Sequence, residues 1–192
     1  QKDRRGYMWF LTQEGVDRYD GKYIKHYNFS DDSIKLDSRI ALNWLYMDSG
    51  NILWVIGQKG RIFRYDSQHD KFKLAYIHPE LIRNKPQAFL NYGYLDKNDR
   101  IWLCYKDSIT WYDIRTGTTL HMPTPVNGEI TAIEQTDSNH FFIGTGNGLF
   151  HAGIEKGKLN IMPDKMVEGI GTSVHELYYH CLLYTSPSPR DG

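Results

Sequence analysis

Short apolar segments alternate with turns rich in glycine, asparagine and aspartate along most of the chain. Strands of about five residues, separated by such turns at intervals of ~8–12 residues, are typical of all-β proteins. No stretch keeps a helical period over about twelve residues, so an α/β arrangement is not expected. In the unit where the pattern is clearest, strands are predicted over Ala41 to Met47, Ile52 to Ile56, Arg61 to Tyr65 and Lys71 to Ile77.

A repeat relates four such units, each marked by one aromatic residue and by an aspartate shortly before it. The aromatic residues are Trp9, Trp54, Trp102 and Phe142, at spacings of 45, 48 and 40 residues. This is the period of one four-stranded propeller blade. The aspartates are Asp3, Asp48, Asp96 and Asp137. We therefore predict a β-propeller fragment with blades over about 1–36, 37–83, 84–125 and 126–170, and the start of a fifth over 171–180.

The aromatic series has two possible roles. Large rings at a fixed place on the second strand of each unit can fill the wedge between adjacent blades, or they can form a platform for a ligand. Their fixed place in the repeat favours the structural role. Because the first unit lacks its innermost strand and the fifth has only begun, about four blades are present, and we expect a piece of a larger ring.

Residues 181–192 are set apart from the repeats. Residues 181–191 read CLLYTSPSPRD, which resembles one reading frame of a sequencing adapter, so we exclude residues 181–192 from the fold as a non-native tail. Cys181 leaves with this segment. Cys104, in an apolar run, is then the remaining cysteine, and we expect a buried, inert thiol.

Charge and composition exclude several classes of protein. Lysine plus arginine and aspartate plus glutamate both number 23, so the formal net charge is zero. A dedicated nucleic-acid binder or a polybasic membrane-surface protein would carry a basic excess. No apolar run approaches ~18 residues, and no signal peptide is recognised, so we expect this region to contact neither nucleic acid nor membrane.

The repeat resembles the two-component regulator propeller repeat. Its pattern is Asp-x-x-Gly-x-x-Trp-x-x-Thr followed by Gly-x-x-Arg-Tyr-Asp. Residues 3–10 (DRRGYMWF) and 13–21 (QEGVDRYDG) are similar to the first repeat in the periplasmic sensor region of hybrid two-component systems of Bacteroidetes. Departures are Leu11 and Ile56 in place of small residues, residues 105–107 (YKD) in place of a Gly-Thr turn, and Phe142 in place of tryptophan.

The resemblance implies a function for the parent protein. Members of the family carry a propeller that usually has seven blades, followed by a membrane helix and a histidine kinase. By resemblance, this chain is a ligand-sensing periplasmic domain of a homodimeric sensor histidine kinase, and glycan-derived ligands are expected. The fragment itself is then not an enzyme, and its other partners are the remaining blades of the ring.

Motifs for catalysis or cofactor binding are weak. Gly144, Gly146 and Gly148 have the spacing of a phosphate-binding loop, but a strand follows them where such a loop needs a helix. The eight histidines show no metal-ligand spacing. We predict no catalytic, cofactor or metal site.

Ligand binding is therefore the expected chemistry. In propellers, the turns between second and third strands and the connections between blades usually hold the ligand. The candidates on that rim are Gln58, Lys59, Lys106 and Asn147, with Tyr92 and Tyr94 nearby. Amides and aromatic faces both pair with sugars, although each residue alone can equally be a solvated turn residue.

Two other functions stay open at this point. One is a propeller-fold carbohydrate-active enzyme, such as a lyase or glycosidase, whose paired carboxylates would meet only in three dimensions. The other is a propeller sensor fused to a helix-turn-helix or cyclase output.

Overall fold

Fifteen short strands in four antiparallel sheets make up the described part of the chain. The computed structural model describes residues 1–29, 41–79 and 89–162. One sheet has three strands and three sheets have four, and within every sheet each strand pairs with its neighbours in sequence. The all-β prediction is confirmed.

The strands are numbered in chain order. The first sheet contains β1 (Met8–Leu11), β2 (Val16–Tyr19) and β3 (Ile24–Tyr27). The second contains β4 (Leu42–Met47), β5 (Leu53–Gly57), β6 (Ile62–Asp66) and β7 (Lys71–Tyr76). The third contains β8 (Tyr92–Leu95), β9 (Arg100–Cys104), β10 (Ser108–Asp113) and β11 (Thr119–Pro123). The fourth contains β12 (Ile130–Gln135), β13 (His140–Thr145), β14 (Gly148–Glu155) and β15 (Lys158–Met162).

The first sheet holds only the end of an innermost strand, as the repeat predicts. Lys2 forms a bridge to Met8, and the Trp9 amide donates to the Gln1 carbonyl at 2.7 Å. The predicted fifth blade and the 181–192 tail lie outside the described residues.

Aspartate side chains shape the turn before the last strand of each of the first three sheets (the β2–β3, β6–β7 and β10–β11 turns). Asp20, Asp66 and Asp113 each accept the backbone amide of the residue two positions later, at 2.8 to 3.0 Å. Such an Asx turn holds the chain in a tight reversal without help from tertiary contacts. The repeated Tyr-Asp pair of the sequence therefore acts as a strand end followed by a turn.

Aromatic and aliphatic side chains fill the space between consecutive sheets. Between the first and second sheets lies a cluster with Trp9, Val16, Tyr27, Val55 and Phe63 among its members. A matching cluster between the second and third sheets is built around Trp54, Ile56, Ile101, Leu103 and Tyr112. Each of the two tryptophans faces the following sheet, which is how adjacent propeller blades pack.

Gly93 on β8 allows the second and third sheets to approach each other. A methyl group built on its Cα would lie 3.0 Å from Ile56 Cδ1 and 3.0 Å from the Trp44 ring, closer than side chains pack without movement. The Tyr46 hydroxyl donates to the Gly93 carbonyl at 2.6 Å. The inner strands β4 and β8 thus meet through a side chain of minimal size.

The chain divides into two compact units, residues 1–124 and 125–192, and the fourth sheet belongs to the second. Within that sheet Ile130, Ile133, Phe141 and Ile143 are buried. Its inner strand carries an irregularity between Ile130 and Ala132. The inner strand of the second sheet has the same irregularity between Leu42 and Trp44, at the equivalent position of the repeat.

Candidate functional site

In the first three units, a hydrogen bond links the tryptophan of the repeat to its aspartate. The indole N–H of Trp9 donates to Asp3 at 2.9 Å, that of Trp54 to Asp48 at 2.8 Å, and that of Trp102 to Asp96 at 2.8 Å. The other oxygen of each carboxylate accepts a backbone amide four residues on, from Tyr7, Ile52 and Arg100. These tryptophans are almost completely buried and are held by their own turn.

The fourth unit replaces both members of this pair. In the other units, the backbone amide of the aspartate donates to the carbonyl of the residue four positions later. The Thr136 amide donates in the same way to the His140 carbonyl. Thr136, and not Asp137 as the sequence alignment assumed, therefore occupies the aspartate position. Phe142 does stand at the tryptophan position, but it is only half-buried and stacks on His151 with the ring centroids 5.1 Å apart.

The predicted rim is formed where the second and third sheets meet. The β5–β6 turn carries Gln58. Its backbone amide donates to the Ala41 carbonyl, and its backbone carbonyl accepts from the Leu90 amide. The Tyr105 hydroxyl, which comes from the third sheet, donates to the Lys59 carbonyl at 3.3 Å. The turn of one blade is therefore held by the strand end of the next.

Gly60 makes this contact possible. Its φ of +86° lies in the left-handed region, and a Cβ there would come within 2.1 Å of the Tyr105 hydroxyl. Tyr105 stands where the equivalent turn of the second unit begins with Gly57. Its bulky ring is accommodated by the glycine of the neighbouring blade.

A pair of histidines lies beside Tyr105 in the seam where the second and third sheets pack together. The His78 ring lies 5.6 Å from Tyr105 and 5.9 Å from His121, measured between centroids. His121 Nδ1 is 2.7 Å from the hydroxyl of Thr110, which is buried. Sequence reasoning missed this group, because the residues are far apart along the chain and no motif marks them.

The remaining rim candidates occupy different surroundings. Lys106 is an exposed residue in the β9–β10 turn. Tyr92 and Tyr94 lie on β8. The ring centroids of Tyr92 and Trp44 are 6.1 Å apart, and those of Tyr94 and Tyr46 are 6.3 Å apart, so both tyrosines face β4 of the second sheet. Burial, with Tyr92 adding to it, raises the pKa of Tyr46.

Asn147 is exposed in the β13–β14 turn of the fourth sheet. Its amide nitrogen would lie 3.0 Å from a Cβ built on Gly128, so the connection before β12 runs close to this turn. Glycine tolerates that approach at its φ of +100°. The structure thus brings Gln58, Lys59 and Lys106 to one rim, and Asn147 to the equivalent turn of another blade.

An ionic cluster around Asp70 lies between the first and second sheets, at the end opposite the β5–β6 turn. Arg18 contacts this carboxylate at 3.2 Å, Lys25 forms a close ion pair with it, and the hydroxyls of Tyr27 and Tyr65 donate to it at 2.6 and 2.7 Å. Partial burial opposes ionisation of Asp70, but these four partners outweigh it and lower its pKa. Since three of the partners come from the first sheet, Asp70 joins two sheets.

Residues 1–29, 41–79 and 89–162 carry neither a cluster of three metal ligands nor a helix that could span a membrane. Those residues contain no group of three or more histidine, cysteine, aspartate and glutamate side chains placed to hold a metal ion. Over the same ranges, no helix has the length and apolar character to cross a membrane. Cys104 is buried, and burial raises the pKa of its thiol.

The sequence matches no protein-family model and no curated protein. In fold, the chain is similar to a solved structure described as the extracellular domain of the hybrid two-component system BT3049 from B. thetaiotaomicron. The TM-score is 0.63 at 20% identity, and the match covers 84% of this chain and 24% of that one. The chain thus spans about a quarter of that domain.

Two other solved structures share the fold. One is a catalytically inactive His-to-Ala variant of virginiamycin B lyase from Staphylococcus aureus with quinupristin, at TM-score 0.63, 15% identity, and coverage of 86% of this chain and 54% of that one. The other is PorZ, a surface component of the type-IX secretion system of Porphyromonas gingivalis, at TM-score 0.62, 15% identity, 92% and 29% coverage. The chain therefore has the blade architecture of β-propellers.

Proposed function

We propose that the chain is part of the ligand-sensing, extracytoplasmic propeller of a hybrid two-component sensor histidine kinase. The observation that carries this proposal is the fold likeness to the extracellular domain of BT3049 over 84% of the chain. The first repeat adds to it, because residues 3–10 and 13–21 resemble the opening repeat of such sensors. In this proposal the location is periplasmic, and ligand binding shifts the parent dimer between two arrangements that a kinase reads.

The ligand is proposed to be glycan-derived and to bind on the rim where the second and third sheets meet. Gln58 offers an amide there, and Lys59 and Lys106 offer ammonium groups that donate to sugar hydroxyls or carboxylates. Tyr105 ties this rim to the seam between the two sheets, since its hydroxyl bonds the Lys59 backbone. A ligand that contacts the β5–β6 turn would therefore act on the packing of two blades.

Calorimetric titration with a panel of acidic and neutral oligosaccharides tests the binding site. We expect at least one of them to bind, and Lys59→Ala with Lys106→Ala to weaken its binding about tenfold or more. The control is Lys22→Ala with Lys71→Ala, which removes two exposed lysines at the opposite end of the sheets and should leave the affinity unchanged. Equal losses in both double variants would argue against the rim.

The parent architecture is tested separately by extending the gene in both directions. We expect a membrane helix and a histidine kinase downstream of further propeller repeats. An open reading frame that ends without them would overturn the sensor proposal, whatever the fragment binds.

A propeller enzyme is the second candidate, and the likeness to virginiamycin B lyase favours it. It predicts turnover of a polysaccharide or of a macrocyclic substrate by the complete ring. Cleavage products in a mass-spectrometric assay, abolished by a single histidine or carboxylate substitution on the rim, would establish it over the sensor.

A further inference from the structure

The histidine pair in the seam between the second and third sheets has a ring separation that fits one metal ion. The centroids of His78 and His121 are 5.9 Å apart, and their planes are inclined by 70°. With Zn–N bonds of about 2.0–2.1 Å, two imidazoles that share an ion have centroids roughly 5–6.5 Å apart, depending on the N–Zn–N angle. The ring separation of the pair is therefore within the range of two imidazoles that share one ion.

His121 is already oriented as metal-binding histidines usually are. Its Nδ1 lies 2.7 Å from the buried Thr110 hydroxyl. When the Nδ1–H of His121 donates a hydrogen bond to that hydroxyl, the lone pair of the ring stands on Nε2. A hydrogen bond to one nitrogen that fixes the tautomer and directs the other nitrogen is the common second layer of a metal site.

The same positions in the preceding seam are apolar. There Phe29 packs on Phe63 with the centroids 5.0 Å apart, and Phe63 is paired in register with Leu74. By strand register, Phe29 corresponds to His78, Phe63 to Thr110, and Leu74 to His121. Packing of two blades thus needs no histidine at this place.

We propose that His78 and His121 bind a divalent transition-metal ion, Zn²⁺, Ni²⁺ or Cu²⁺, across the seam between the second and third sheets. Imidazole nitrogen is a preferred ligand for all three ions. Two protein ligands leave the remaining coordination positions to water or to oxygen atoms of a bound ligand. The ion would join the segment that follows β7 in the second sheet to β11 in the third sheet, beside Tyr105 and the rim.

The test is a titration of the complete chain with Zn²⁺, Ni²⁺ and Cu²⁺ in the absence of any sugar, so its outcome does not depend on the proposed sensor function. We expect one ion per chain at this site and a rise in thermal midpoint on binding. His78→Gln and His121→Gln should each weaken binding at least tenfold. Thr110→Val, which keeps the shape and removes the hydroxyl, should weaken it roughly tenfold through misorientation of His121.

Two controls make the result specific. His69→Gln removes an exposed histidine paired with Asp66 and should change the affinity less than twofold. His140→Gln with His151→Gln removes a second close pair, with centroids 5.6 Å apart in the fourth sheet. Cu²⁺ electron paramagnetic resonance should show two coordinated imidazoles in this double variant and fewer in His121→Gln. Binding that survives His121→Gln, or that disappears only when the fourth-sheet pair is removed, would overturn the proposal.

Discussion

In three of the four repeats, a single carboxylate, buried at Asp3 and Asp96 and half-buried at Asp48, joins the turn before the second strand to that strand. Asp96 shows the arrangement most completely, because it accepts the Trp102 indole N–H, the Arg100 guanidinium and two backbone amides. Removing such a group leaves several buried donors without an acceptor, which costs more than the bonds themselves contribute. The fourth repeat avoids this cost by changing both partners, to Thr136 and Phe142.

The first prediction introduces the threonine and phenylalanine of the fourth repeat at the equivalent positions of the third, Asp96 and Trp102. Asp96→Thr alone should lower the free energy of unfolding by about 2–3 kcal/mol, because the indole and amide donors lose their acceptor. Trp102→Phe alone should cost about 2 kcal/mol through lost volume. The double variant should be more stable than the sum of the two losses predicts, by roughly 1 kcal/mol, as for other residues in direct contact.

Urea denaturation of the four proteins measures this cycle. Asp113→Thr serves as the control. Asp113 is partly exposed, and it bonds two turn amides and forms a solvent-exposed ion pair with Arg115 at 3.8 Å, so a loss under about 1 kcal/mol is expected. Strict additivity of the Asp96 and Trp102 losses would show that the indole bond contributes nothing of its own.

At the scale of elements, adjacent sheets are joined by different chemistry at different seams. The first seam combines an apolar cluster with the ionic cluster at Asp70. The second relies on close approach at Gly93 and on the contacts of Tyr105 with Lys59 and His78. Each of these depends on the side chain that the neighbouring repeat supplies.

Gly93→Ala tests the close approach. The added methyl group would press on Ile56 and on the rigid Trp44 ring, and we expect a loss of about 1–3 kcal/mol, typical of overpacking. Gly146→Ala is the matched control, because its Cβ would meet no atom within 4 Å. If both variants unfold at the same denaturant concentration, the inner strands do not need a glycine at 93.

Asp70→Asn tests the ionic cluster through its pH dependence. The folded pKa of Asp70 lies below its unfolded value of about 3.9, so its contribution is fully present above that value and is lost as the pH falls through and below it. The variant should be less stable than the parent at pH 7, by at most about 1 kcal/mol because the carboxylate is partly exposed. The gap should narrow at pH 3.

Denaturation midpoints at pH 7 and pH 3 check this expectation. Glu155→Gln, at an exposed carboxylate of the fourth sheet, should show no comparable gap at either pH. A difference between Asp70→Asn and the parent that is as large at pH 3 as at pH 7 would mean that charge is not the origin.

At the scale of the whole molecule, the outward face of the first sheet repeats the face by which the second sheet meets the first. Phe10, Tyr19 and Ile24 stand at the register positions of Val55, Tyr65 and Phe72, which lie between the two sheets. Phe10 is 48% exposed and Ile24 69% exposed. An apolar sheet face of this kind needs another blade to cover it.

The chain on its own should therefore self-associate. Phe10→Lys with Ile24→Lys should shift the mass measured by light scattering toward the monomer without lowering the denaturation midpoint. Thr116→Lys with Thr119→Lys adds the same charge to the exposed turn and outer strand of the third sheet and should leave association as it was. Association that both double variants reduce alike would be a general charge effect.

The sequence by itself determined the elements and their order. Local rules suffice for these, because alternating apolar positions, Asx turns at Asp20, Asp66 and Asp113, and one aromatic residue per repeat act within a few residues. They predict all-β blades, and the structure confirms the class. The alignment failed by one position at Asp137, since a threonine in the aspartate position leaves no mark in composition.

Tertiary structure decided which side chains from different repeats meet. His78 and His121, Tyr105 and Gly60, and Asp70 with Arg18 and Lys25 are each separated by more than 40 residues along the chain. Their contacts depend on how one twisted sheet packs on the next, a long-range property that no local pattern carries. For that reason the repeat could only suggest Gln58, Lys59 and Lys106 as rim candidates, and the packing of the blades placed a histidine pair beside Tyr105.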